Sequence, residues 1–351
     1  MKGKITWINS WKGIGILCVV LGHIFIGETS RTIYIFHMPL FFFISGFLFK
    51  PTHKSKKYFT RKAVSFLVPY IAFLIPLYFV FTDFSNFELK DLASNFIPLI
   101  VGGRMLQGPF GVFWFITCLF LTQQVMNFLF LKLKSSAIAI TMCIMLVLAF
   151  LNSIFFPSFW LPWNANVVLA AAPIFYLGYI YKKRAPKFNM SIVIILGLFV
   201  VLLSFVFPSN TYDMKSASYG IPLITMASAI ILVLSLKFIA VRMSANRYLN
   251  TIFSELGKAS LTIMYLHLPI IVILETQFPT IHKLFIFMAS VVLSYFTYAL
   301  LLKSQFTRGI FLGKPKALSK IFRTPSLYNA PVKTIETIKV KEATTVAYKT
   351  L

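Results

Sequence analysis

The chain has 351 residues, 58% of them apolar and only 12% charged, with a formal net charge of +25. A soluble domain carries roughly a quarter of its residues as charges, so this composition excludes one and points to a bilayer. So strong a positive balance would suggest nucleic acid in a soluble protein, but here the basic residues fall in alternate loops between apolar stretches. Membrane lipids are therefore expected as partners and nucleic acid is not.

In chain order the apolar stretches predict ten helices, over residues 5–26, 33–50, 63–82, 110–131, 136–156, 166–181, 190–207, 220–240, 256–274 and 284–302. Crossing a hydrocarbon core takes about 20 residues, a length most of them meet. The first is not a cleaved signal: it contains Lys12, no A-x-A site follows, and the Gly27–Thr32 turn leads straight into another span. Pro162 and Pro173 place a break or kink near the sixth. Residues 83–109 form the longest loop, in which Asn95–Val101 reads either as a re-entrant helix or as a plain connection. The fold class is thus an all-α integral membrane protein with about ten transmembrane helices. Residues 1–303 form the membrane domain, and 304–351 form a basic, partly disordered tail. With the amino terminus in the cytoplasm, twenty-eight of the 34 Lys and Arg residues lie inside and five outside. Both termini are therefore expected to be cytoplasmic.

Ionisable residues within spans are costly and usually face a protein interior or a watery cavity. Lys12 and His23 share the first helix; eleven steps of 100° bring both to one face, about 16 Å apart along the axis. Gly15, Val19 and Gly22 lie on or near that stripe, where small residues permit close packing or leave room for a ligand. His37 on the second helix has a depth similar to that of His23, and His267 on the ninth lies somewhat deeper, with Glu28 at the mouth. Two or three imidazoles are thus expected to converge in the outer half of one cavity. No carboxylate or cysteine sits beside them at ligand spacing, so no metal is expected. Cys18, Cys118 and Cys143 lie in apolar runs and form no disulfide framework.

The segment from Trp11 through Lys12, Gly13 and Gly22 to His23 resembles the opening of acyltransferase family 3, a basic residue and a His separated by ten positions. Phe36-His37-Met38-Pro39-Leu40-Phe41-Phe42-Phe43-Ile44-Ser45-Gly46-Phe47-Leu48 is similar to the second-helix motif of that family, closest in flavour to the fucose 4-O-acetylase-like branch. Weaker matches follow in order: Arg61 with Pro69-Tyr70, Phe113-Trp114-Phe115-Ile116, Pro173 to Gly178, and Leu256 to His267. Lys12 departs from the Arg of many members; it keeps the charge and loses the bidentate fork.

The resemblance implies that 1–303 is a transmembrane acyltransferase domain in the cell membrane, bacterial by the family's habit. It further implies a membrane O-acetyltransferase, with cytoplasmic acetyl-CoA as acyl donor and a hydroxyl of a cell-surface polysaccharide or lipid-linked glycan as acceptor. On that reading His23 is a general base or a transient acyl carrier, for which a near-neutral imidazole is suited. Lys12 and Arg61 meet the coenzyme phosphates, and His37 or His267 orients His23 or stabilises the oxyanion. Ser45 and Tyr265 are further candidates for polar lining. An exporter of polysaccharide or lipid-linked sugar on the same framework is the alternative. A proton-coupled transporter would be expected to carry carboxylates within its spans, and none of the nine acids is clearly placed so.

Overall fold

The computed structural model describes residues 7–82 and 92–322. Its long helices are α1 (Trp7–Ile24), α2 (Glu28–Leu48), α3 (Ser55–Phe81), α5 (Trp114–Lys132), α6 (Ser135–Phe155), α7 (Val168–Arg184), α8 (Met190–Val206), α9 (Ile224–Met243), α10 (Arg247–Gln277) and α11 (Lys283–Leu301). Three short ones, α4 (Leu92–Val101), α12 (Gln305–Ile310) and α13 (Pro315–Ile321), lie between or after them. Among the described residues nine helices are long and apolar enough to cross a membrane, and α8 is a shorter apolar helix. All ten expected spans therefore have a helix.

Burial sorts these helices into a centre and a rim. α1 and α2 pack on each other and on α7, α9 and α10, which leaves Trp11, Val20, Ile35, Leu40 and Phe42 almost wholly covered. On the rim, α6, α8 and α11 turn Ile144, Leu198, Phe199, Leu202 and Phe296 outward. Such apolar exposure over helix-length segments suits contact with lipid.

Between the central helices lie two reciprocal glycine contacts. A Cβ on Gly13 would strike the Phe253 carbonyl of α10, and one on Gly257 would strike the Asn9 carbonyl of α1. Gly46 and Gly178 stand in the same relation to Phe175 of α7 and Phe43 of α2. Without an inter-helix hydrophobic drive in lipid, close backbone approach at small residues is what holds helices together.

Several expectations shift. The helix predicted from residue 63 begins at Ser55, so Arg61 and Lys62 ride on α3 rather than in a loop. The helix predicted over 256–274 runs from Arg247, where the Asn246 side chain accepts from the amides of Tyr248 and Leu249. Asn95–Val101 falls within the helix α4 rather than in a plain connection, whereas residues 83–91 lie outside the described residues. The expected break near Pro162 and Pro173 falls at Trp163 and Asn164, both left-handed at φ 60° and 53°, and Pro173 sits inside α7.

The segment from residue 304 also differs from a plain tail. α12 and α13 form a hairpin against α3, in which Phe311 meets Phe73 edge-on at 5.2 Å. Leu312, Leu318 and Ser319 are buried. Residues 323–351, the rest of the expected tail, lie outside the described residues.

Candidate functional site

On α1, Lys12, Ile16 and Val19 line a cavity of about 400 Å³, and His23 is the next residue on the same stripe. Spacings of four, three and four keep one face of a 3.6-residue helix pointed in one direction. Met38, Phe41, Ile44 and Ser45 of α2, Phe115, Ile116 and Leu119 of α5, and Met264 of α10 supply the walls. The lining ends at Val19, Met38 and Met264, so the histidines lie just beyond the cavity's apolar end. The glycines near the stripe serve packing. A Cβ on Gly15 would meet Leu40, and one on Gly22 would meet Ile33 and Tyr34, all on α2.

At its other end the cavity is basic. Lys12, Lys50, Arg61 and Lys62 border it, and Lys62 lies 5.5 Å from the ring centres of both Tyr58 and Phe66. Among the described residues Lys12, Arg61 and Lys62 form no ion pair. One wall carries a polar chain in which the Tyr58 hydroxyl donates to Gln123 Oε1 at 3.2 Å. Gln123 Nε2 in turn donates to Ser45 Oγ at 3.0 Å. Nearby, the Asn127 side chain of α5 bonds both the amide and the carbonyl of Thr52 and so pins the α2–α3 connection.

The three histidines do converge. His23 and His267 have ring centres 5.2 Å apart, and Tyr34 links the group at 6.0 Å from His23 and 4.8 Å from His37. His37 and His267 are buried, whereas His23 is half-buried. His37 Nδ1 donates to the Ile33 carbonyl at 3.1 Å, and His267 Nδ1 donates to the Ile263 carbonyl at 2.8 Å. A carbonyl can only accept, so both rings carry their proton on Nδ1 and leave Nε2 as a lone pair. In each helix a proline follows two residues later, Pro39 and Pro269. A proline ring crowds the carbonyl four residues back and bends the helix near the imidazole.

A loop between α8 and α9 covers this end. Its Lys215 ammonium donates to the Leu106 carbonyl at 2.8 Å, and its backbone carbonyl accepts from Asn164 at 2.9 Å. Asp213 Oδ1 accepts from the amides of Lys215 and Ser216. Burial holds the Lys215 ammonium below the ordinary lysine range; the Asp213 charge opposes that and Arg104 adds to it. Both Asp213 and Lys215 lie within electrostatic reach of the histidines. Of the five non-glycine residues with positive φ among the described residues, Trp163, Asn164, Ala217 and Leu223 lie in the loops at this end. Such backbone costs about 1–3 kcal/mol per residue and gathers at functional sites.

Of the residues singled out in the sequence, His23, His37 and His267 form one cluster, and Lys12 and Arg61 border one cavity. Glu28 is exposed and paired with Arg31, apart from the rings. Tyr265 does not line the cavity: it stacks on Phe73 at 4.8 Å and leans on Phe113 at 4.9 Å. Sequence reasoning passed over Tyr34, Tyr58, Gln123 and Asp213. The recurrence of His-x-Pro on two helices was a readable signal, whereas nothing local marks Gln123.

A protein-family model described as an acyltransferase domain, acyltransferase family 3, matches residues 5–303. The chain belongs to that family and is a membrane acyltransferase. No curated protein and no solved structure is significantly similar to it.

Proposed function

From the premise of an acyltransferase, we propose that the chain moves an acetyl group from cytoplasmic acetyl-CoA to a hydroxyl of a cell-surface polysaccharide or lipid-linked glycan. The carrying observation is the α1 stripe: Lys12, Ile16 and Val19 line an apolar cavity that is basic at one end, and His23 follows within its imidazole cluster. A ligand with an anionic head and a long, flexible arm suits such a cavity, because cations border its mouth and mainly apolar side chains, with Ser45 and Gln123 among them, line its length. The excess of basic residues at the Lys12 side supports placing that side in the cytoplasm. The protein on this reading sits in a bacterial plasma membrane.

Bound there, acetyl-CoA supplies an acyl carbon joined to a thiolate leaving group. Lys12 and Arg61 hold the phosphates, with Lys62 and Lys50 beside them. His23 accepts the proton of the acceptor hydroxyl as its oxygen attacks. The nearby His267, with Nδ1–H committed to Ile263, presents an unprotonated Nε2 that stabilises the imidazolium formed on His23. His37 is held in the same tautomer and lines the acceptor side through Tyr34. The new C–O bond replaces the C–S bond, and the proton leaves with the thiol.

The test is radiolabelled acetyl transfer to extracted glycan by the purified protein in proteoliposomes. Wild type is expected to label the glycan and His23→Ala to leave it unlabelled while inserting normally. Near-normal labelling in that variant would remove His23 from the chemistry. Glycan transport without acetyl incorporation would identify an exporter instead.

A further inference from the structure

The hairpin of α12 and α13 lies beyond residue 303, where the family match ends. It nevertheless runs along one stripe of α3, the stripe that begins a turn after Arg61. A Cβ on Gly313, at φ 54°, would crowd the Ser65 carbonyl at 2.6 Å and Pro69 at 2.8 Å, and Phe311 meets Phe73 one turn further on. The turn of the hairpin is therefore pressed into the helical bundle, with Leu312 buried. Irregular backbone at such a place is tolerated where protein buries it or where it borders a watery cavity.

Lys314 follows that turn directly. It is exposed, yet close enough to Lys12 for the two charges to repel each other. Lys62 in turn feels both Arg61 and Lys12. Lys12, Arg61 and Lys62 border the cavity, and Lys314 follows Gly313, whose contact Ser65 lies one turn after Arg61 on α3; none of the four has an ion pair among the described residues. Elsewhere at this end cations are differently placed: Lys237 lies 4.4 Å from the Phe238 ring centre and donates to the Tyr181 hydroxyl. Like charges gathered around a cavity mouth lower the energy of a bound polyanion and raise that of the empty site.

We propose that the α12–α13 hairpin is a carboxy-terminal clamp on the donor, in which Lys314 binds the phosphates of coenzyme A opposite Lys12 and Arg61. The assignment rests on the acetyl-CoA reading above and extends the donor site beyond the residues that the family model matches. The phosphates lie between α1, α3 and the hairpin, and the pantetheine arm runs past Ile16 and Val19.

Coenzyme A binding to the full-length protein in nanodiscs tests it, with S-acetylpantetheine, which lacks the nucleotide phosphates, as second probe. Lys314→Met is expected to bind coenzyme A about tenfold more weakly, the worth of one well-placed charge contact of about 1.4 kcal/mol. Lys314→Arg should stay close to wild type, and S-acetylpantetheine should bind all three alike. Coenzyme A should also protect Lys314→Cys from maleimide. Unchanged coenzyme A affinity in Lys314→Met, with no protection of the cysteine, overturns the clamp and leaves the donor reading standing. Wild-type protein that binds no coenzyme A overturns the donor reading and the clamp with it.

Discussion

The two ends of the site are built on opposite principles. At the Lys12 end the functional groups are long cations on α1, α3 and the α2–α3 connection, with no ion pair among the described residues, around the cavity mouth. At the His23 end they are short rings, of which His37 and His267 are buried with tautomers set by backbone carbonyls, under a loop held by Asn164, Leu106 and Asp213. Charge attraction acts over distance and tolerates imprecise placement, so a binding mouth can be assembled from flexible side chains. Proton transfer requires contact distances, and the imidazole end carries four of the five non-glycine positive-φ residues among the described residues.

That contrast can be broken most severely at the imidazole end. His23→Ala is expected to lower acetyl transfer by about 10²–10⁴-fold, the usual worth of a positioned general base. Labelled product in proteoliposomes measures it, and a loss of less than tenfold would mean that another group takes the proton.

The glycine crossings hold both ends in register. Gly46→Ala places a methyl group against the Phe175 carbonyl, and forcing the helices apart should cost about 1–3 kcal/mol. Thermal unfolding in detergent reads this as a lowered Tm, together with loss of activity at both ends. An unchanged Tm would show that α2 and α7 have slack at their crossing.

The flexible end should respond more mildly and more selectively. Lys12→Met is expected to raise the donor KM by about tenfold, the scale of one lost charge-assisted hydrogen bond, with kcat much less affected. Lys12→Arg should retain most of the affinity, because charge rather than shape is the requirement at the cavity mouth. Steady-state kinetics with varied acetyl-CoA separate the two parameters. An equal fall in kcat would place Lys12 in the chemistry.

The smallest effect is expected from Asp213→Asn. The carboxylate raises the Lys215 pKa against burial and Arg104, so its removal lowers that pKa further. If the ammonium serves the acceptor, the alkaline limb of the pH–rate profile moves to lower pH. An unmoved limb would separate Lys215 from catalysis.

The ten helices and the Lys12–His23 face were legible because each depends on local pattern alone: apolar length for a span, and a 3.6-residue period for a shared face. The meeting of His23 with His267 followed only in part, since estimated depth limits which rings can be near and says nothing of which helices are neighbours. Gln123 and Tyr58 were out of reach, being polar residues in apolar helices with no spacing to distinguish them from ordinary surface groups. The hairpin after residue 303 was not legible, because a basic composition broken by proline is also that of a solvated tail.

By itself the sequence determined the bilayer as solvent, the number of long helices and which α1 residues share a direction, all consequences of hydropathy and helical period. Tertiary structure alone decided that α1 packs against α10, that the α8–α9 loop lies over the histidines and that the α12–α13 hairpin packs on α3. The first and last depend on close backbone contact at Gly13, Gly257 and Gly313, and the loop is held by the Asn164 and Lys215 hydrogen bonds, all between segments far apart in the chain. Pairwise fit of that kind is a property of two surfaces together, and neither strand of sequence carries it alone.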